Sequence, residues 1–108
     1  MERRRVDRKV VDFSVELISS SKSYIGYAGN ISEYGAYVKI APAETAIDFL
    51  PETLLEMNFK IPSGEKLNLN CEIMWLYAKR ISSRVLENHI GLEIKNSPPE
   101  YENFFKSL

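Results

Sequence analysis

The sequence contains one cysteine, Cys71, and one histidine, His89. A lone thiol allows no intrachain disulfide, and with a single imidazole beside it a cysteine-built zinc centre is excluded and metal chemistry nearly so. The same scarcity argues against nucleophilic hydrolysis. A Ser or Cys nucleophile needs an adjacent base, yet His89 stands at the start of an alternating apolar run and nothing pairs it with Cys71. Cys71 itself lies among inward-facing aliphatics and reads as a buried, inert thiol. Paired carboxylates are not signalled, and neither G-x-x-x-x-G-K-[ST] nor a strand-borne G-x-G-x-x-G occurs, so a bound nucleotide would have to be held without a glycine phosphate loop. No run approaches the roughly 18 apolar residues of a membrane span. Lys9 and Asp12 also interrupt any apolar segment behind the basic amino terminus, so no signal peptide is read there. The expectation is a non-enzyme without metal or cofactor, placed in the cytoplasm and not inserted in a membrane.

What is present fits one globular domain of 108 residues, 44% hydrophobic and 27% charged. The net charge of -1 conceals an uneven distribution. Arg3, Arg4, Arg5, Arg8 and Lys9 crowd the first nine residues against Glu2 and Asp7. A basic arm on a slightly acidic body suits a compact anion or an acidic partner better than a long nucleic acid. Nucleic-acid binding would want exposed aromatics interleaved with basic residues along a strand face, where this chain offers Asn, Glu and Ser.

Period-two alternation dominates the rest. Val11, Phe13, Val15 and Leu17 mark a first strand. Ser23 to Ala28 reads as a second, with Gly26 a bulge or bend, and Ala36, Val38 and Ile40 form a third. The stretch from Ala41 to Pro51 breaks the pattern and has room for one helical turn. Leu55, Met57, Phe59 and Ile61 give a fourth strand ending at Pro62-Ser63-Gly64. In the fifth, Leu67, Leu69, Cys71, Ile73 and Trp75 share one face, which sends Trp75 into the core unless a barrel mouth leaves its ring open to a ligand. Tyr77 to Asn88 is a charged loop or hairpin extension, and Ile90, Leu92 and Ile94 point inward from a sixth strand. Pro98-Pro99 stops that strand, and Tyr101, Phe104, Phe105 and Leu108 recur at helical spacing. The fold class is therefore all-β: a small antiparallel barrel over residues 10–108, with a short carboxy-terminal helix and a flexible basic arm over residues 1–9.

Two motifs remain. Arg4 and Arg8 are four residues apart, and a guanidinium fork fits phosphate oxygens, the Hoogsteen edge of guanine or a purine face. About twenty residues on, the polar turn Asn30-x-Ser32-x-x-Gly35 joins two strands. Such residues serve ordinary turns too. Together, RxxxR followed by NxSxxG resembles the paired signature of the PilZ domain family, and Cys71-Glu72-Ile73-Met74-Trp75 with His89-Ile90-Gly91-Leu92-Glu93-Ile94 is similar to that family's late strand pair.

The resemblance implies a six-stranded antiparallel barrel that binds the bacterial second messenger cyclic di-GMP and signals when ligand orders the arm. On this basis Arg4, Arg8, Asn30, Ser32 and Gly35 would contact ligand. Arg3, Arg5 and Trp75 would be additional contacts, above all if the messenger binds as a stacked pair. Ser32 would give its hydroxyl to a phosphate, and Gly35 would allow positive φ or a close ligand approach. Asn30 stands where the family more often has Asp, which implies a weaker or rearranged guanine contact. A downstream protein partner is implied, with a monomer or dimer equally open. The alternative is a PilZ-like interaction module for pilus or flagellar machinery that binds no nucleotide.

Overall fold

A computed structural model describes residues 8–20, 22–43, 47 and 49–108. Arg3, Arg4 and Arg5, and much of the connection proposed to hold a helical turn, lie outside this set. Six strands run in order: β1 Lys9–Ser19, β2 Lys22–Ile31, β3 Gly35–Ala43, β4 Leu54–Lys60, β5 Lys66–Arg80 and β6 Leu86–Lys95, followed by helix α1 Pro99–Lys106. All pairings are antiparallel, and the sheet closes as β1-β2-β3-β6-β5-β4, with β4 returning to β1. Among the described residues no helix is long and apolar enough to cross a membrane.

The alternation read from the sequence becomes the core. Val15, Leu17, Val38, Ile40, Leu55, Met57, Phe59, Leu67, Leu69, Cys71, Ile73, Ile90, Leu92 and Ile94 are all buried, as period-two side chains facing a closed lumen must be. Helix α1 seals one end. Pro98 is its N-cap and Pro99 its first helical residue, where a missing N–H costs nothing. Tyr101, Phe104 and Phe105 are buried, whereas Leu108 is exposed beyond the helix. Phe104 packs edge-on against Phe13, which stacks on Phe59 at 4.8 Å.

Two features depart from the sequence pattern. Gly26 is not a bulge: it pairs in register with Val15, and a Cβ there would press on Lys39 O and Ile40 Cγ1 at 2.9 Å. Four strand irregularities fall elsewhere, among them one between Ala28 and Asn30 against β3 and one between Ile73 and Trp75 against β6. The one between Ile73 and Trp75 corrects the core placement of Trp75. One extra residue, Met74, inverts the alternation, so Trp75 is 45% exposed and its indole lies over Gly91. Of the two readings of Tyr77 to Asn88 the hairpin extension holds: it is the far end of the β5–β6 hairpin, with a turn at residues 81–85 closed by Ile81 N–H to Val85 O at 2.8 Å.

A methyl group at position 91 would overlap the Trp75 indole. Gly91→Ala should therefore displace the ring and destabilise the fold by about 1–3 kcal/mol. A red-shifted tryptophan emission together with a lowered denaturant midpoint would check this. Burial pushes the Cys71 thiol up to about 12 from 9.0. Native protein should then resist a thiol reagent that labels it when unfolded. Because the folded state keeps a proton that the unfolded state releases, this burial adds stability below pH 9.0 that is lost as pH climbs toward about 12. Alkaline denaturation midpoints of the parent and Cys71→Ala measure that loss.

Candidate functional site

The polar motif is a hairpin loop. β2 ends at Ile31, β3 starts at Gly35, and only Ser32, Glu33 and Tyr34 lie between. Each end of this loop is pinned. Ser32 N–H donates to Gly35 O at 2.8 Å, Tyr34 N–H donates to Ser32 Oγ at 3.2 Å, and Ile94 N–H donates to Tyr34 O at 2.8 Å. From beneath, the buried Tyr101 hydroxyl donates to Ser32 O at 2.5 Å. Burial raises this phenol's pKa well above the usual tyrosine range, so it stays protonated and remains a donor.

These bonds give Ser32 and Gly35 structural duties. Ser32 is buried, with its hydroxyl oxygen turned to the Tyr34 amide. Gly35 has no positive φ; among the described residues Gly64 is the glycine that does. Gly35 is small because β6 is close: a Cβ would lie 2.8 Å from Leu92 O.

Asn30, Arg8 and Trp75 come together above the loop. They line a cleft of about 400 Å³ with Ala36, Tyr37, Met74, Gly91 and Leu92, within the usual size range of ligand pockets. Arg8 Nη1 donates to Asn30 Oδ1 at 2.8 Å, so a bond joins the two motifs across 22 residues. Arginine has no acceptor, so the amide oxygen must face it and Asn30's NH₂ is left to donate. The bulge at Met74 supplies one wall of the cleft and the irregularity before Asn30 supplies the other.

Behind Trp75 runs an aromatic series that the spacing does not reveal. Tyr37 stacks on Trp75 at 6.2 Å and on His89 at 5.8 Å, and Tyr77 stacks on His89 at 4.8 Å and on Trp75 at 5.9 Å. The Tyr37 hydroxyl is 2.6 Å from His89 Nδ1, and His89 Nε2 is 3.1 Å from Glu87 Oε1. Since an ionised Glu87 can only accept, Nε2 carries the proton and Nδ1 accepts from Tyr37. Burial, then Tyr77 and Glu87, raise the Tyr37 pKa, so this hydroxyl donates too. His89 is thus a prop for the cleft's aromatic wall. The outward register of Tyr37 was readable from β3, but its cross-strand partner was not.

A family model for the PilZ domain matches residues 2–107. No curated protein matches the sequence. Among solved structures, the Bacillus subtilis inhibitor of motility (MotI/DgrA) shares 14% identity over 99% of this chain and 49% of its own, with a TM-score of 0.73. The PilZ domain of Escherichia coli YcgR with c-di-GMP shares 9% identity over 97% of this chain and 87% of its own, with a TM-score of 0.74. The Klebsiella pneumoniae MrkH–c-di-GMP complex shares 14% identity over 99% and 51%, with a TM-score of 0.68. This chain thus spans about half the length of the MotI and MrkH chains, and at these identities the likeness is one of fold. The barrel order, the capping helix and the nearly full-length family match lead to one conclusion: the chain belongs to the PilZ domain family.

Proposed function

We propose that the chain is a non-catalytic receptor for cyclic di-GMP, which it binds in the cleft between Arg8, Asn30 and Trp75. The observation that carries this reading is the 2.8 Å bond from Arg8 to Asn30, which brings the two family motifs to one opening beside an exposed indole. Two of the solved structures similar to this fold contain c-di-GMP. In the proposed complex Arg4 and Arg8 neutralise phosphate and engage guanine, with Arg3 and Arg5 adding charge or stacking surface, and Trp75 offers a face to a base. Asn30 contributes through its NH₂ donors, whereas an aspartate there could only accept. Ser32 and Gly35 act mainly by holding the loop. Arg8 is already held by Asn30 and Lys9 by its place in β1, so the arm expected over residues 1–9 is shorter at its inner end. Ligand draws the residues before Arg8 across the barrel, and the altered surface is what a downstream protein in the cytoplasm reads.

One observation favours the alternative of an interaction module that binds no nucleotide: Arg8 Nη1 and Asn30 Oδ1 are engaged with each other. Isothermal titration with cyclic di-GMP separates the two readings. A receptor gives saturable binding in the micromolar range or tighter, and an interaction module gives no heat of binding. In a receptor, Arg4→Ala and Arg8→Ala should each cost about 1.5–3 kcal/mol, a loss of roughly ten- to a hundredfold in affinity. Unchanged affinity in both variants would refute the assignment.

A further inference from the structure

β5 is longer than the strand it pairs with on one side. β4 covers it only from Lys66 to Glu72, and Glu52 and Thr53 extend that cover to Ile73. Past the bulge at Met74, the strand pairs from Trp75 to Arg80 with β6 alone, and among the described residues nothing is seen to bond to its other edge from Met74 on. Met74, Trp75, Tyr77, Ala78, Lys79 and Arg80 are all exposed. Outward and inward positions alike meet solvent, as at the end of a ribbon that has outgrown its barrel. An unpaired edge presents a row of N–H and C=O groups to any extended chain of matching length.

The side chains on this edge select the occupant. Its cations, Lys79 and Arg80, sit at one end, and Met74 and Trp75 sit at the other. We propose that this edge joins two copies of the chain, β5 to β5 and antiparallel about Tyr77, each copy lending Lys79 and Arg80 to the rim of the other's cleft. Centred on Tyr77, the pairing uses every open residue: Met74 faces Arg80, Trp75 faces Lys79, Leu76 faces Ala78, and Tyr77 faces itself. No like charges oppose one another, and each ammonium faces an indole at the separation that suits a cation–π pair. The arrangement is isologous and closes after two copies.

The register also reaches the cleft. Met74 and Trp75 line it, so the second copy's Arg80 and Lys79 add positive charge where an anionic ligand would sit. Anion and second copy then favour each other's binding. That linkage rests on the cyclic di-GMP reading, whereas the pairing does not. The competing account is that Lys79 and Arg80 keep the edge unpaired, a common protection of exposed strands.

Cysteine scanning of the full chain decides between these, because buried Cys71 does not interfere. Directly opposed residues in an antiparallel pair have Cα atoms about 4.5–5.5 Å apart, within disulfide reach, while Lys79 and its own copy would be more than about 13 Å apart. Under mild oxidation Tyr77→Cys should cross-link to a dimer and Lys79→Cys should stay monomeric. Wild type should show a concentration-dependent dimer in sedimentation velocity that Tyr77→Lys abolishes and cyclic di-GMP increases severalfold. A monomeric Tyr77→Cys, equal cross-linking of Lys79→Cys, or a wild type monomeric at all concentrations with and without ligand would overturn the pairing. If calorimetry finds no cyclic di-GMP binding, the receptor reading falls while the Tyr77→Cys cross-link still decides the pairing.

Discussion

Closure of the barrel is the constraint from which the rest follows. Six strands can meet edge to edge only if their curvature is concentrated at a few places. Here those places are the irregularities between Val10 and Phe13, Ala28 and Asn30, Ile40 and Ala43, and Ile73 and Trp75. Two of them flank the cleft. The same bends that let β4 return to β1 present Asn30 and Trp75 side by side, so the site is a product of closing the sheet and not an addition to it. The closing seam is short, with Glu16, Leu17 and Ile18 pairing with Asn58, Met57 and Glu56. Beyond it the rings of Phe13, Phe59 and Phe104 fill the space that backbone pairing leaves.

The site joins elements of unlike character. Its floor is held by bonds that tie the 32–34 loop to β3, β6 and α1. Its side wall is a stack of rings whose alignment is fixed by Tyr37, His89 and Glu87 in one hydrogen-bonded line. Its opening is spanned by a single exposed contact, Arg8 to Asn30. A guanidinium beside an aromatic wall held in place by hydrogen bonds pairs positive charge with flat stacking surface, and the wall needs no rearrangement to offer it.

Much of this was legible in the residues. Alternation at Leu67, Leu69, Cys71 and Ile73 gave β5 its inward face, and Tyr101, Phe104 and Phe105 announced a capping helix. The motifs pointed to Arg8 and Asn30 before any coordinates did. Trp75 was misplaced because alternation assumes an unbroken ladder, and one inserted residue reverses every later side chain. Gly26 was misread because close packing against Lys39 and Ile40 asks for the same small residue as a bend. The Tyr37–His89 pairing stayed hidden because cross-strand neighbours depend on register, which pairs residues 52 apart. That Ser32 lies against α1 and Gly35 against β6 could not be read from the motif, since both contacts come from distant parts of the chain.

The bonds that tie the carboxy-terminal segment to the barrel span long stretches of the chain. Tyr101 reaches Ser32 across 69 residues, and Lys9 Nζ donates to the carbonyls of Phe105 and Leu108 across 96 and 99. Local hairpins such as β1–β2 close small loops, whereas these tethers wait for both ends of the polypeptide to arrive together. Lys9 on one side and the 32–34 loop on the other are thereby fastened to the same carboxy-terminal segment, so any shift of α1 is felt by β1 and by the loop together.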